Sequence, residues 1–419
     1  MGLHHGQANF VTYGKPSLFL DFANKKSLVD RISGNNLITF TRSSIGSYVG
    51  ADGLIKYAAA DEPRFDHDPE TGESLGLLIE EQRTNLVNRS TATGATIGVL
   101  GSGGELPTGW GIDQVQPGTN LEIVNFGTEK GLNYIDLRFY GTTTGTNRWL
   151  VRPGSAFNIT NGVTYSVSCY AKLISGSTAG NYLNYVGASL IGVNSNSNLT
   201  RYTRTFTATS TGTLYHRLDV GVNSIGTTYD LTIRFAAPQL EQGSFPTSYI
   251  PTSSSTLTRN ADNLTITNAN YPFPCTIFGE YNTYVNQYAR RFFEIIPPSA
   301  SGNTSIRPLI NTNGVISAFS TYTNASVAQT TNSITPYTPF KFTFGIGRTG
   351  TSYTTDKLVL DGGDIAESTT STLPDTYFTN ILFGNSTIGD DPRRWCGHIN
   401  RFVLYDNYLN NSQLQSLTQ

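Results

Sequence analysis

A chain of 419 residues is long enough for roughly two or three domains. With 14% charged residues and a formal net charge of −2 it offers no broad basic face, which argues against nucleic acid as the main partner. Its 42 glycines, 23 tyrosines and 22 phenylalanines, set among Ser, Thr and Asn, weigh against a helical bundle and suit half-buried sheets joined by many turns.

In chain order, the first predicted strand is residues 17–22, where alternation puts Leu18 and Leu20 on one face and Phe19 on the other. Residues 37–42 follow. Tyr48-Val49 and residues 54–57 flank Asp52-Gly53, a hairpin signal because Asp-Gly accepts left-handed turn conformations. The proline-bounded stretch 63–69 is barred from a central strand or a helix. Residues 76–80 supply a short apolar strand.

The chain then alternates over 133–140, 163–171, 201–207 and 229–235, with Gly/Ser/Asn turns between, as a β-sandwich or jelly roll does. Residues 252–256, small and polar, read as a linker. Beyond it 276–281, 340–344, 357–363 and 399–405 are strands. Residues 410–419 form a short helix, with Asn411 or Ser412 as N-cap and Leu414 and Leu417 three apart. No short-period repeat marks a solenoid or propeller. The expected fold class is all-β, tandem β-sandwich or jelly-roll modules preceded by a small β-rich N-terminal module, divided at 1–88, 89–252 and 253–419.

The three cysteines, Cys169, Cys275 and Cys396, have neither disulfide-framework nor zinc spacing and read as partly buried thiols. If the end strands of the third module pair, Cys275 and Cys396 become neighbours. Residues 1–16 hold no signal-peptide core and no later run reaches membrane-spanning length, so neither export by signal nor membrane insertion is expected. An extracellular-looking composition without an export signal fits a virion protein released by lysis.

Several blocks point the same way. Phe19-Leu20-Asp21-Phe22, Thr39-Phe40-Thr41-Arg42 and Asp52-Gly53-Leu54-Ile55 come first. They are followed by Glu62-Pro63-Arg64-Phe65-Asp66-His67-Asp68, Gly76-Leu77-Leu78-Ile79-Glu80 and Arg83-Thr84-Asn85-Leu86. In this order they resemble an N-terminal module of tailed-bacteriophage virion proteins. Ala237-Pro238-Gln239-Leu240-Glu241 and Thr247-Ser248-Tyr249-Ile250-Pro251-Thr252 look like the close of a carbohydrate-binding-type jelly roll. The stretch from Ile381 to the terminal helix is similar to laminin-G or concanavalin-like domains. The resemblance implies a tail fibre or other appendage that attaches to other phage virion proteins by its N-terminus. It leaves sugar binding open, because such jelly rolls often serve as structure alone.

Sugar recognition needs flat aromatic faces and planar polar groups. Trp110, Tyr140, Trp149, Tyr182 and Tyr185 are the candidate glycan-binding platforms of the second module, with Asp136, Arg148, Asn181 and Asn184 as polar partners. Taken singly, each aromatic suits a sandwich core better than a platform. In the third module, residues 388–395 gather Asp390, Asp391, Arg393, Arg394 and Trp395. These form a ligand or Ca²⁺-assisted site, with Asp390 and Asp391 as weak metal candidates, or a self-neutralising turn with Arg stacked on Trp395, the simpler reading. Asp361-Gly362-Gly363-Asp364 is first a tight hairpin turn.

The carboxylate pairs Asp66/Asp68 and Glu80/Glu81 invite a glycoside-hydrolase reading, but their settings give no acid/base geometry. No phosphate loop or zinc cluster is present in the sequence. The expectation is a non-enzymatic virion structural protein without cofactor, a homotrimer engaging host cell-surface glycan. The alternatives are a capsid decoration or head-fibre protein, a polysaccharide depolymerase, and a tail or baseplate component with no ligand.

Overall fold

The computed structural model describes residues 13–177, 182–186, 188–189, 198–285, 290–298, 305–311, 313–320, 325–349, 352–368, 376–384 and 394–419. The chain is all-β, as its alternation predicts. Among the described residues the only α-helices are Phe22–Lys25 and Asn411–Leu417, and no helix is long and apolar enough to cross a membrane.

It divides into two compact units. The first holds Met1–Gly53, Tyr57–Gln82 and Asn260–Gln419, and the second holds Leu54–Lys56 and Arg83–Arg259. Strands from the stretches 1–88 and 253–419, read from sequence as separate modules, therefore share sheets. Alternation marks a strand but not its partner, and here the partners lie hundreds of residues apart.

In the first unit Leu18–Asp21, Phe65–His67, Ser74–Ile79, Cys275–Thr283, Phe340–Thr349, Ser352–Leu360, Ala366–Ser368 and Gly397–Tyr405 make one eight-stranded sheet. Ile38–Thr41 and Asn263–Ile266 open a second sheet, continued by Asn380–Phe383, Phe293–Ile296, Ile306–Ile310, Val315–Ser320 and Ala325–Ser333. Alternate residues of both sheets, including Leu18, Leu20, Ile277, Phe342 and Phe402 from one and Ile38, Phe40, Leu264, Phe293 and Ile381 from the other, close on a single core. Phe19, on the opposite face as expected, packs in a smaller cluster with Val403, Tyr405, Leu414 and Leu417 under the C-terminal helix. That cover explains why every residue of Gly397–Tyr405 is buried.

The helix is capped by Asn410, one residue before the earliest expected cap. Its backbone is extended and its side chain accepts from the Gln413 amide, while Gln413 reaches back to the Asn410 N–H. At Asp361 and Gly362 the backbone takes the left-handed conformation, so the Asp-Gly-Gly-Asp motif is the hairpin turn that its sequence suggests.

Charged residues of the N-terminal blocks are interior. The side chains of Arg42, Arg64, Glu80 and Asp262 are each 0% exposed. Arg42 Nη1 lies 3.0 Å from one Asp262 oxygen, Arg64 Nη2 lies 2.5 Å from the other, and Arg64 Nη1 lies 2.7 Å from Glu80. Two guanidiniums against two carboxylates make the buried group neutral, the condition under which such charges persist away from water. Arg42, Arg64 and Glu80 precede residue 88 and Asp262 follows the second unit, so the quartet ties the first stretch of the chain to the last.

The second unit is a β-sandwich. A seven-stranded sheet contains Gly98–Leu100, Gly103–Gly104, Thr119–Glu129, Leu132–Thr142, Thr164–Gly176, Thr200–Thr207 and Thr228–Gln242. A five-stranded sheet runs in the order Gly111–Gln114, Trp149–Arg152, Leu218–Gly221, Tyr182–Tyr185 and Ala188–Ser189. Leu121, Leu137, Val167 and Phe235 from the larger sheet meet Trp149, Val151, Leu183, Leu218 and Val220 from the smaller.

The chain enters and leaves this sandwich on neighbouring antiparallel strands, Arg83–Asn85 and Leu257–Arg259. The linker read at 252–256 begins inside the unit. Thr252 is buried and its Oγ1 accepts from the Ser90 amide at 2.9 Å, while its own amide donates to Ser90 Oγ at 2.8 Å.

All three cysteines are buried thiols outside any disulfide. Cys275–Thr283 does pair with Gly397–Tyr405, but antiparallel, with Thr276 opposite Tyr405 and Thr283 opposite Gly397. Cys275 and Cys396 thus sit at opposite ends of the pair, roughly 25 Å apart at the rise of a strand, rather than as neighbours.

Candidate ligand-binding face

Four of the six aromatics proposed as platforms are core. Trp395 is fully buried among Tyr281, Phe292 and Phe340, so neither a lectin site nor an Arg-stacked turn describes it. Tyr185 is fully buried against Phe235. Trp149 is buried beside Phe139, and its indole N–H donates to Thr119 Oγ1 at 2.9 Å. Trp110, 8% exposed, stands edge-on to Phe235 and donates to the Arg89 carbonyl at 2.9 Å. The Trp110 segment lines a shallow groove of about 410 Å³ with Leu100, Glu105, Leu106, Thr108 and Ile112. A ring whose faces already pack on protein has none to offer a pyranose.

Tyr140 is half-buried and its ring is covered by the Arg138 guanidinium, 4.4 Å from the centroid. The side chain of Tyr182, together with Asn181, Asp390, Asp391 and Arg393, lies outside the described residues.

The polar partners divide between the two sheets. Asp136 pairs with Arg234 through both oxygens on the seven-stranded sheet. Arg148 pairs with Asp219 of the five-stranded sheet, Asn184 stands opposite Asp219 in register, and a largely polar face forms there. Its origin is strand periodicity. Trp149 and Val151, Leu218 and Val220, and Leu183 and Tyr185 point into the core, so Leu150, Arg152 and Asp219 take the other face, as does Asn184, which is itself buried. Gln114, Leu150, Asp219 and Asn184 stand in register across four strands.

Two ion-paired groups occupy this face. Arg148 Nε and Nη2 donate to the two oxygens of Asp219 at 2.8 and 3.1 Å, and Arg148 Nη1 donates to Asn223 Oδ1 at 2.8 Å. Beside them Asp113 lies between two arginines, accepting from Arg152 Nε at 3.0 Å on one oxygen and from Arg217 Nε at 2.5 Å on the other. The Arg217 guanidinium rests 4.3 Å from the ring centroid of Tyr215, which is 46% exposed.

Burial works against ionised Asp113, but hydrogen bonds and charge from Arg217 and Arg152 outweigh it and hold its carboxyl below the usual range. At Asp219 burial prevails over Arg148 and pushes the carboxyl up. Between Tyr215 and Arg217, His216 turns inward, its Nε2 2.6 Å from the Ser155 carbonyl, and burial pulls it down to about 4. Sequence reading missed Asp113, Tyr215, Arg217 and Asp219, because residues 104 apart share no local spacing.

The acidic pairs considered for hydrolysis are committed elsewhere. Asp66 lies 2.8 Å from His398 Nε2, and Asp68 accepts the amides of Glu70 and Thr71 in a turn. Glu80 binds Arg64 and Glu81 binds Arg290. Among the described residues no three His, Cys, Asp or Glu gather in a way that holds a metal ion.

No protein-family model matches the chain, and no curated protein matches it. Among solved structures, the CBM40 domain of Ruminococcus gnavus IT-sialidase bound to α2,3-sialyllactose is similar at 15% identity, over 36% of this chain and 94% of that one, with a TM-score of 0.30. Domains LG4-5 of the mouse laminin α1 chain are similar at 12% identity, over 65% and 88%, with a TM-score of 0.25. Trypanosoma rangeli sialidase in complex with the inhibitor DANA is similar at 9% identity, over 71% and 68%, with a TM-score of 0.27. TM-scores of this size fall short of a shared fold, so the all-β sandwich assignment rests on the sheets themselves.

Proposed function

We propose that this chain is a non-catalytic structural protein of a bacteriophage particle, a tail fibre or other appendage, which engages host surface glycan through the outer face of the five-stranded sheet. The observation that carries the binding reading is Asp113 fixed between Arg152 and Arg217 above Tyr215, next to Arg148 paired with Asp219 and Asn223. Sugar hydroxyls both donate and accept, and planar Asp, Asn and Arg groups offer both roles side by side. Groups that already hold one another in place lose little freedom when a ligand arrives.

The virion reading is supported by the ordered sequence blocks between Phe19 and Leu86. Attachment runs through this N-terminal stretch to other virion proteins, and the protein acts in the virion. A shallow polar face binds each sugar weakly, and a homotrimeric fibre compensates by presenting several copies at once.

The test is retention of the purified chain on immobilised polysaccharide from the host envelope, with Asp113→Ala and Arg148→Ala as variants. Retention lost in both variants, with thermal midpoints unchanged, supports the reading. Equal retention by all three proteins removes the face from it, and release of reducing ends replaces a binder with a depolymerase. A cryo-EM map of the particle with this chain on the shell would move it from appendage to decoration protein.

A further inference from the structure

The second unit's outer face holds more guanidinium than it neutralises. Asp113 is one carboxylate serving two arginines, while Asp219 already answers Arg148. In both arginines at Asp113 it is Nε that meets the carboxylate. Arg152 Nη1 turns back to the Gly154 carbonyl. Among the described residues neither Nη of Arg217 donates a hydrogen bond, and its side chain is 32% exposed. Arg217 is nevertheless not loose, because Tyr215 supports its plane from one side and Asp113 fixes its Nε edge. Its remaining edge, two parallel N–H donors with a net positive charge behind them, matches a planar anion.

We infer that this face selects acidic glycans and that the Arg217 Nη edge receives the carboxylate of a uronic or nonulosonic acid residue, with Asp219 and Arg148 meeting the hydroxyls of its neighbours. This rests on the glycan-binding reading above and adds the ligand's charge to it. Neutral sugars lack the group that the surplus guanidinium requires. Sulfated or phosphorylated glycans present two oxygens to the same edge, and carboxyl reduction of the polysaccharide separates them from carboxylates, because it leaves sulfate and phosphate in place.

The experiment is ligand-observed NMR on the full chain with glucuronate, galacturonate and N-acetylneuraminate, each against glucose or galactose. Host polysaccharide is tested in parallel before and after its carboxylates are reduced to alcohols. The expected result is binding by at least one acidic sugar, about tenfold weaker for Arg217→Gln and unchanged for Arg138→Gln on the opposite sheet. Binding should weaken as salt rises.

Equal binding of native and carboxyl-reduced polysaccharide would overturn the acidic selection and leave glycan binding standing. Retention of neither form would overturn both. Binding of an acidic sugar undiminished in Arg217→Gln would overturn the assignment of the carboxylate to this edge.

Discussion

Replacing Asp262 with Asn removes one charge from a group that has no access to water. The wild-type quartet balances Arg42 and Arg64 against Asp262 and Glu80, with every side chain 0% exposed. In the variant two buried guanidiniums share one carboxylate, and the interior carries an uncompensated positive charge. Breaking a buried pair in this way costs about 3–5 kcal/mol. Asn keeps an oxygen that can still accept one of the contacts now made by Arg42 Nη1, Arg64 Nη2 and the Glu80 amide, so the lower end applies, about 3 kcal/mol. For a unit of this size that lowers the midpoint by roughly 6–12 °C. Scanning calorimetry should show the transition of the first unit moving and that of the second holding its place. A shift below about 2 °C would refute the view that this charge balance holds the N-terminal stretch to the rest of its sandwich.

His216 gives the second unit a pH dependence. It stays neutral in the folded state down to about 4, whereas an unfolded histidine protonates near 6.5. Its contribution is whole above 6.5 and is lost as pH falls toward 4, by at most about 3 kcal/mol. His216→Gln should flatten the midpoint-versus-pH curve in that window, and an unchanged slope would contradict this. Trp395→Ala should destabilise the first unit by about 3–5 kcal/mol in urea unfolding while leaving retention on host polysaccharide intact. Lost retention at unchanged stability would return Trp395 to the binding surface. Asn410→Ala removes the cap of Asn411–Leu417 at about 1 kcal/mol, read as faster amide exchange confined to that helix.

Strand positions were legible in the sequence wherever one face is buried and the other is wet. Leu18 and Leu20 face the main core and Phe19 the opposite cluster, as their alternation implies. Strand partners were not legible, because pairing is set by distant backbone, as the ends of Cys275–Thr283 and Gly397–Tyr405 show. The aromatics misled in a consistent way. Trp395 sits next to a charged loop and is core, while Tyr215 stands beside an unremarkable turn and is exposed. A further signal lies in the charged residues of the N-terminal blocks. Arg64 and Glu80 are buried as an ion pair, and Asp66 is buried 2.8 Å from His398 Nε2.

The strands Arg83–Asn85 and Leu257–Arg259 set the two breakpoints of the second sandwich side by side, with Arg83 opposite Arg259. Backbones so paired are about 5 Å apart, a gap that any other sandwich with adjacent ends can bridge. Exchange at these two points swaps Arg83–Arg259 as one piece and leaves behind Leu54–Lys56, whose Ile55 packs with Leu132 and Tyr134, as the one seam a replacement has to match.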